Sequence, residues 1–475
     1  MFFAFQTYLS LLGGHSFVEN IHLQRSVFKI LSFANGIDDN LFVIFFLACS
    51  SLLASLVVSY LHVRSIIIII FQNIEKLFLE FFIIPPSLFF SVIISRFIRK
   101  NIDVGLGPQP LINNVYHKES LQKVGYTAET FVESVYHITA EFDYRADQCW
   151  LSKYSKYQKY LGYYLFVRSV LRYRCIYIYF NGGPLRIYKL YKYVEPMLFQ
   201  LAKVKIVVLP YGGDVSDMKF CKNLNFKHSL ITDYPYYYKQ NSSTQKQIKR
   251  WTNNANFIVS GCDWVDYNYH WNKLMLAHFS IDINKIQLLR TEKEMINFGP
   301  FNKDKPLKIF HAPNHKIIKG TRFIEKAVTD LTREGLSIQL KVVQNKSNYE
   351  ILKEINESDL VVDQLIIGWY AMFALEALSM GKPVICYLRQ DLIKLYQFEG
   401  IIESEEDLPF INADIFSIKS TIRDFYFNRQ KIDRIANKSI EFVEKYHSTA
   451  AIGKVFKEIN LAIGIDTKNT SISVG

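Results

Sequence analysis

Between residues 308 and 388, short apolar runs alternate with helical patterns, and this alternation restricts the chain more than any other feature. Residues 308–311, 338–343, 360–362 and 383–388 read as strands, and the segments between them carry helical apolar spacing. The order is βαβαβαβ, which calls for a parallel sheet with helices on both faces. Ligands of such sheets bind outside the carboxyl ends of the strands. Those ends carry His311, Lys316, Lys319 and Gly320, then Asp363, Gln364, Gly368, Trp369 and Tyr370.

A second pattern of this kind begins near Asn101. Residues 103–107, 175–180, 205–209 and 256–260 read as strands, and a helical pattern over 111–124 follows the first. Three of these runs end in turn residues: Asn181-Gly182-Gly183-Pro184, Tyr211-Gly212-Gly213-Asp214 and Gly261-Cys262-Asp263. Residues 279–304 read as a connection, 411–463 as mainly helical, and the small polar tail from Asp466 as frayed. The predicted fold class is α/β: two Rossmann-like domains facing a cleft, at 101–285 and 286–465, preceded by an N-terminal membrane segment.

That segment occupies 1–100. Residues 41–61, LFVIFFLACSSLLASLVVSYL, form an uncharged run of 21. About 20 apolar residues suffice to cross a bilayer, so a transmembrane helix is predicted, with a buried core helix as the alternative. A second hydrophobic segment, about 79–95, is interrupted by Glu80 and Pro85-Pro86. It reads as a second span kinked at the prolines, or as a re-entrant or interfacial segment. Arg96, Arg99 and Lys100 follow it, and the positive-inside tendency then puts the later domains on the cytoplasmic side.

Net charge is +12 with a pI near 9.1. Such a balance suits anionic partners: nucleic acid, acidic lipid head groups or nucleotide diphosphates. The chain has no zinc spacing, no RNA-binding signature and no block of Lys and Arg, so nucleic acid is set aside as a partner. Its six cysteines include no C-x-x-C pair, which fits a reduced, cytosolic setting.

Lys319-Gly320 at an apparent helix start, and Glu376 further on, resemble the donor-binding half of GT-B glycosyltransferases of the retaining family-4 type. In that family a Lys-Gly pair opens a helix, and a Glu-Gly-Phe-Gly segment is followed eight residues after its first Glu by a second Glu. Here the position eight residues before Glu376 is Gly368, and Trp369, Tyr370 and Ala371 stand where Gly-Phe-Gly is usual. Asn314 stands where an Arg is common. The stretch GPQPLINNVYHKESLQKVGY resembles the family's opening strand, loop and helix, and YGGDV resembles its Gly-x-Asp turn at the cleft. The resemblance covers roughly 101–460. It implies transfer of a sugar from a nucleotide-diphosphate sugar, with retained configuration and without a metal, to a glycan or lipid-linked acceptor. A GT-B sugar-nucleotide epimerase and a non-catalytic nucleotide-sugar-binding scaffold are the alternatives.

The candidate residues follow from what a diphosphate sugar needs. Lys319, Gly320 and nearby Lys316 offer charge and a flexible turn at a helix N-terminus, where the dipole also favours anions. The bland reading is a solvated Lys before an N-cap. The resemblance assigns Glu376 to the ribose; otherwise it is an exposed helix Glu. Gly368 would let backbone approach a phosphate. Trp369 and Tyr370 would stack on base or sugar, or simply pack. Asp363 and Gln364 would contact the sugar, or Asp363 is a turn residue. Gly105 and Gly107, between strand and helix, are further donor-binding candidates. Asp214 and His137 complete the catalytic candidates, each with a structural alternative. Asp214 and Asp217 lack the Asp-x-Asp spacing of metal-dependent transferases, so neither a metal nor a cofactor beyond the donor is expected.

Overall fold

The computed structural model describes residues 51, 54–55, 57–65, 78–135, 141–287 and 305–467. The chain divides into two compact units, Met1–Ile83 and Ile84–Gly475. Most of the span predicted at 41–61 lies outside the described residues. Among the described residues, no helix is long and apolar enough to cross a membrane.

Ile84–Gly475 holds two parallel sheets. The first comprises β1 (Ile102–Leu106), β2 (Ala128–Val132), β3 (Tyr144–Arg145), β4 (Tyr173–Tyr179), β5 (Lys205–Leu209), β6 (Phe257–Gly261) and β7 (Lys273–Met275), in the order 3-2-1-4-5-6-7. The second comprises β8 (Leu307–His311), β9 (Ile338–Val342), β10 (Leu360–Gln364), β11 (Val384–Cys386) and β12 (Phe410–Asn412), in the order 12-11-10-8-9. Helices cover both faces, so central strands are buried on both sides and read as near-continuous apolar runs. In β4 all but one of the seven residues YRCIYIY are buried. The sequence pattern missed β2, β3, β7 and β12. β2 reads AETFV, whose Glu and Thr break the apolar run, and the other three span only two or three residues.

Glu129 of β2 is explained by its partners. Burial pushes its carboxyl up, but Arg172, Tyr173 and Arg168 outweigh that and hold it below the usual range. Arg172 Nη2 lies 2.5 Å from Oε2, and Tyr173 donates to Oε1 at 2.7 Å.

The helix Ile84–Ser95 belongs to the first domain, although the sequence grouped it with the anchoring region. It buries Ile84, Leu88, Ser91, Val92 and Ser95 against the helices Leu161–Arg172 and Tyr191–Leu201. A π-helical turn, Leu79–Ile83, ends where this helix begins, and Pro85 and Pro86, which have no N–H to bond back along the chain, stand just past that change of winding.

The helix Thr449–Ala462 returns from the second domain to pack on Ile112–Lys123 of the first. The two sheets reverse strand order between β1 and β4 and between β8 and β10, and such switch points open crevices at the strand ends.

Gly107 follows β1 directly with no room for a side chain: an added Cβ would stand 2.0 Å from the backbone oxygen of Phe131 in β2. Gly107→Ala is expected to cost about 1–3 kcal/mol by forcing these two strands apart. Gly213→Ala, whose Cβ would meet the Tyr237 hydroxyl at 3.4 Å and the Tyr211 ring at 3.7 Å, should stay within about 0.5 kcal/mol of the parent. Urea unfolding of both variants measures the contrast.

Candidate functional site

At the second switch point, β8 ends in His311, which is fully buried. Its Nδ1 lies 2.8 Å from the Val362 carbonyl and its Nε2 lies 2.9 Å from the Thr321 hydroxyl. Burial pushes the imidazole down to about 4, so the ring is neutral. A carbonyl only accepts, so Nδ1–H donates to Val362 and Nε2 accepts from Thr321. This ties β8 to β10 and to the start of the helix Thr321–Arg333. Gly320, at φ +80°, joins that helix to the short helix Lys316–Lys319.

The turn so held brings Lys319 to Asp363. The ammonium lies 2.6 Å from Oδ1 of the fully buried carboxylate, whose Oδ2 accepts the Ala371 N–H at 3.0 Å. Lys316 is exposed and stands apart from this pair.

The next loop departs from the sequence expectation. Gln364 does not reach toward a ligand. Its Oε1 accepts the N–H groups of Ile366 and Ile367 at 2.9 and 2.6 Å, and its Nε2 donates to the Trp369 carbonyl at 2.6 Å. Gly368 does not open a helix, because Met372–Ser379 starts after Ala371. It sits in the loop at φ +103°, with the Arg389 side chain where a Cβ would be. Trp369 and Tyr370 are each 2% exposed, so neither can stack on a base or sugar. Trp369 Nε1 donates to Leu276 of the first domain at 2.7 Å, and the Tyr370 hydroxyl meets His447 Nε2 at 2.8 Å. Both pack the seam between the domains, because the loop is turned toward Arg389 and its partner Asp266.

Glu376, on the helix Met372–Ser379, is buried rather than exposed, and its Oε1 accepts from Asn348 Nδ2 at 2.7 Å. Burial pushes its carboxyl up to about 7, with Asn348 pulling back and Asp363 adding to the rise. Across the cleft, Tyr116 of the helix Ile112–Lys123 has its phenol pushed up by burial first and by Glu376 second. Lys319 with Asp363 and Asn348 with Glu376 are thus two bonded pairs of the second domain, and Tyr116 of the first domain lies within electrostatic reach of Glu376. Asn348 and Tyr116 were missed. Asn348 follows the capping Ser347 at the start of Asn348–Glu357, a position that predicts a helix start and says nothing about a ligand.

In the first domain, the candidates hold the fold. Gly105 lies inside β1, where a Cβ would stand 2.4 Å from the Tyr173 ring, and Gly107 is closed off by Phe131. Neither is open to a donor. Asp214 is buried, with Oδ1 accepting from Tyr211 and Gly212 and Oδ2 from Phe180, at 2.9–3.0 Å. Burial pushes it up to about 7 while these N–H groups pull it back. It staples the loops after β4 and β5 through both oxygens. Glu195 acts similarly on the Gly-Gly-Pro turn, accepting from Gly183 at 3.1 Å and Leu185 at 2.7 Å. Its signal in the sequence is a carboxylate inside the apolar stretch YVEPMLF. His137 lies outside the described residues. Among the described residues, no group of three or more His, Cys, Asp or Glu is placed to hold a metal ion.

No family model matches the chain, and no curated protein matches it. Similar solved structures include HepE of Anabaena in complex with UDP, at TM-score 0.46 and 13% identity, covering 77% of this chain and 100% of that one. A sucrose-phosphate synthase from Thermosynechococcus elongatus is similar at 0.45 and 10%, covering 76% and 98%. A UDP-GlcNAc 2-epimerase from Neisseria meningitidis bound to UDP-GlcNAc is similar at 0.41 and 12%, covering 76% and 100%. At these scores the likenesses carry no argument about activity, which rests on the chain's own residues.

Glu376, Asp214 and Glu195 all have carboxyls raised to about 7 in the folded chain. The native state therefore holds protons that the unfolded chain has released above the ordinary carboxylate range. Their contribution to stability is full below that range and is lost as pH rises through about 7. The buried imidazoles of His117, His278, His311 and His447, pushed down by burial, pull the other way below the ordinary imidazole range, so the carboxyl effect is read as a difference between two proteins. Glu376→Gln keeps an acceptor for Asn348 and carries no charge, so the thermal midpoint of the parent minus that of the variant should fall from about pH 5 to about pH 8. A difference that stays flat with pH would show Glu376 ionised without cost.

Proposed function

We propose that this chain is a membrane-associated GT-B glycosyltransferase that moves a sugar from a nucleotide-diphosphate sugar to a glycan or lipid-linked acceptor. The observation that carries this reading is the convergence of Lys319, Asp363 and Glu376 at the β8/β10 switch point, opposite Tyr116. A cationic turn beside a buried carboxylate is what a nucleoside diphosphate requires, with charge for the phosphates and an acceptor for ribose hydroxyls.

In this reading Lys319 meets the diphosphate, and the N-terminus of Thr321–Arg333 adds its dipole. Asp363 holds the ammonium in place, and as a partner buried beneath it acts as a positioning residue. Glu376 accepts from the ribose. The family resemblance supplies the reaction class. The bond from the anomeric carbon to the diphosphate oxygen breaks, a bond to the acceptor oxygen forms on the same face, and the acceptor proton goes to the leaving diphosphate. Closure of the cleft would exclude water from this step. The uncharged run at 41–61 and the basic residues after Ser95 support a place at the cytoplasmic face of a membrane.

The full chain should be incubated with a panel of nucleotide sugars and membrane lipids. Transfer is expected; an epimerised donor, or binding without turnover, would replace this reading by one of its alternatives. Lys319→Ala should lower turnover roughly tenfold to a hundredfold, since a charge-assisted contact is worth about 1.5–3 kcal/mol and negative charge grows on the diphosphate as the bond breaks. Glu376→Ala, remote from that bond, should mainly raise the Michaelis constant. Wild-type rates in both variants would mean the site is placed wrongly.

Transfer should also survive EDTA. Complete loss on chelation, restored by magnesium or manganese, would overturn the metal-independent mechanism.

A further inference from the structure

A cavity of about 650 Å³ lies at the amino ends of β1, β4 and β5, the opposite edge of the first sheet from the candidate site. Its lining includes Arg96, Arg99, Lys100, Arg174, Lys203 and Lys205. The acidic groups facing them are few. Asp466 lines the cavity, and Asp103 is taken by Arg174 at 2.7 Å. Lys100 is partly buried, with its ammonium 2.7 Å from the Ala202 carbonyl. Arg96, Arg99, Lys203 and Lys205 form no ion pair among the described residues. Burial lowers Lys100 to about 8.

The surface beside the cavity is apolar. The helix Ile84–Ser95 has no charged residue, and the face turned away from the domain carries Phe89, Phe90, Ile93 and Ile94. Phe89 and Phe90 are 61% and 58% exposed, and Phe97 just beyond is 85% exposed. On the adjoining helix Tyr191–Leu201, Tyr193, Met197 and Leu201 repeat at one-turn spacing and are also exposed. An outer helix facing water carries polar residues on that side, and a contiguous apolar face marks contact with another apolar phase. The stretch Arg96-Phe97-Ile98-Arg99-Lys100 interleaves both chemistries. A surface that is apolar within and anionic at its rim matches this arrangement, as for helices lying in a bilayer interface.

We infer that this face seats on an anionic phospholipid membrane, with Phe89, Phe90, Ile93, Ile94 and Phe97 in the interfacial layer and a phosphorylated head group in the basic cavity. The inference deepens the membrane side of the proposed function and is independent of its donor chemistry. It orients the first domain with its strand amino ends toward the lipid, so the carboxyl-end cleft lies on the far edge of that sheet.

The test uses the full chain in phosphatidylcholine nanodiscs, with or without phosphatidylserine, and a fluorophore on Phe97→Cys. Its quenching by spin-labelled lipid reports seating of this face even if another segment crosses the bilayer. Quenching should be about tenfold stronger with phosphatidylserine and should fall as salt rises. Arg96→Glu with Arg99→Glu, both at exposed positions, should abolish the difference and leave nucleoside diphosphate binding intact. Equal quenching in both lipids overturns the head-group site. Full displacement of the effect by inorganic phosphate makes it a free-anion site, and cross-linking of Phe97→Cys between two copies makes it a protein interface; either overturns the membrane assignment. Loss of donor binding with normal seating would count against the proposed function alone.

Discussion

The seam between the two sheets is fixed by one buried ion pair. Arg389, after β11, reaches into the first domain and grips Asp266 at 2.7 and 3.1 Å, while Asp391 holds its other side. Arg389 and Asp266 side chains are 6% and 1% exposed. Removing one member of such a pair leaves an uncompensated charge in low dielectric, at a cost of about 3–5 kcal/mol. The loop carrying Gly368, Trp369 and Tyr370 lies against Arg389, and only a glycine fits beneath that side chain. The seam is completed by Tyr396, whose hydroxyl accepts from Cys262 at 2.7 Å and donates to Met275 at 3.0 Å. The position of the β10 strand end relative to the first domain, and so the width of the cleft, follows from this contact.

Desolvation separates carboxylates that fasten the fold from those able to meet a ligand. Asp214 and Glu195 accept from backbone N–H groups on both oxygens, which compensates their buried charge. Asp363 is divided between Lys319 and Ala371. Glu376 has one hydrogen-bond donor among the described residues, Asn348, which leaves acceptor capacity on its other oxygen. Burial raises it as it raises the others, and Tyr116 of the opposite domain lies within its electrostatic reach. Perturbation alone does not mark a functional group; perturbation with an unused oxygen does.

The first sheet separates two chemistries by strand polarity. Its carboxyl ends close on the second domain with buried, hydrogen-bonded loops. Its amino ends open on the cations of residues 96–205 and on the apolar helix that precedes them. Parallel strands make this separation unavoidable, because all amino ends share one edge.

From sequence alone, the α/β class, two parallel-sheet domains, and the strands β1, β4, β5, β6 and β8 to β11 were all legible. Apolar periodicity and turn residues are local, and a parallel sheet is the arrangement that buries such runs on both faces. Tertiary structure decided what each polar residue faces. It turned Trp369 and Tyr370 into the seam, engaged Asp214 with three backbone donors, and closed Gly105 against Tyr173. It also brought Asn348 and Tyr116 to Glu376. The partners in these contacts lie up to 260 residues apart, as Tyr116 and Glu376 do. Desolvation and pairing depend on such distant neighbours, and no local pattern in the chain encodes them.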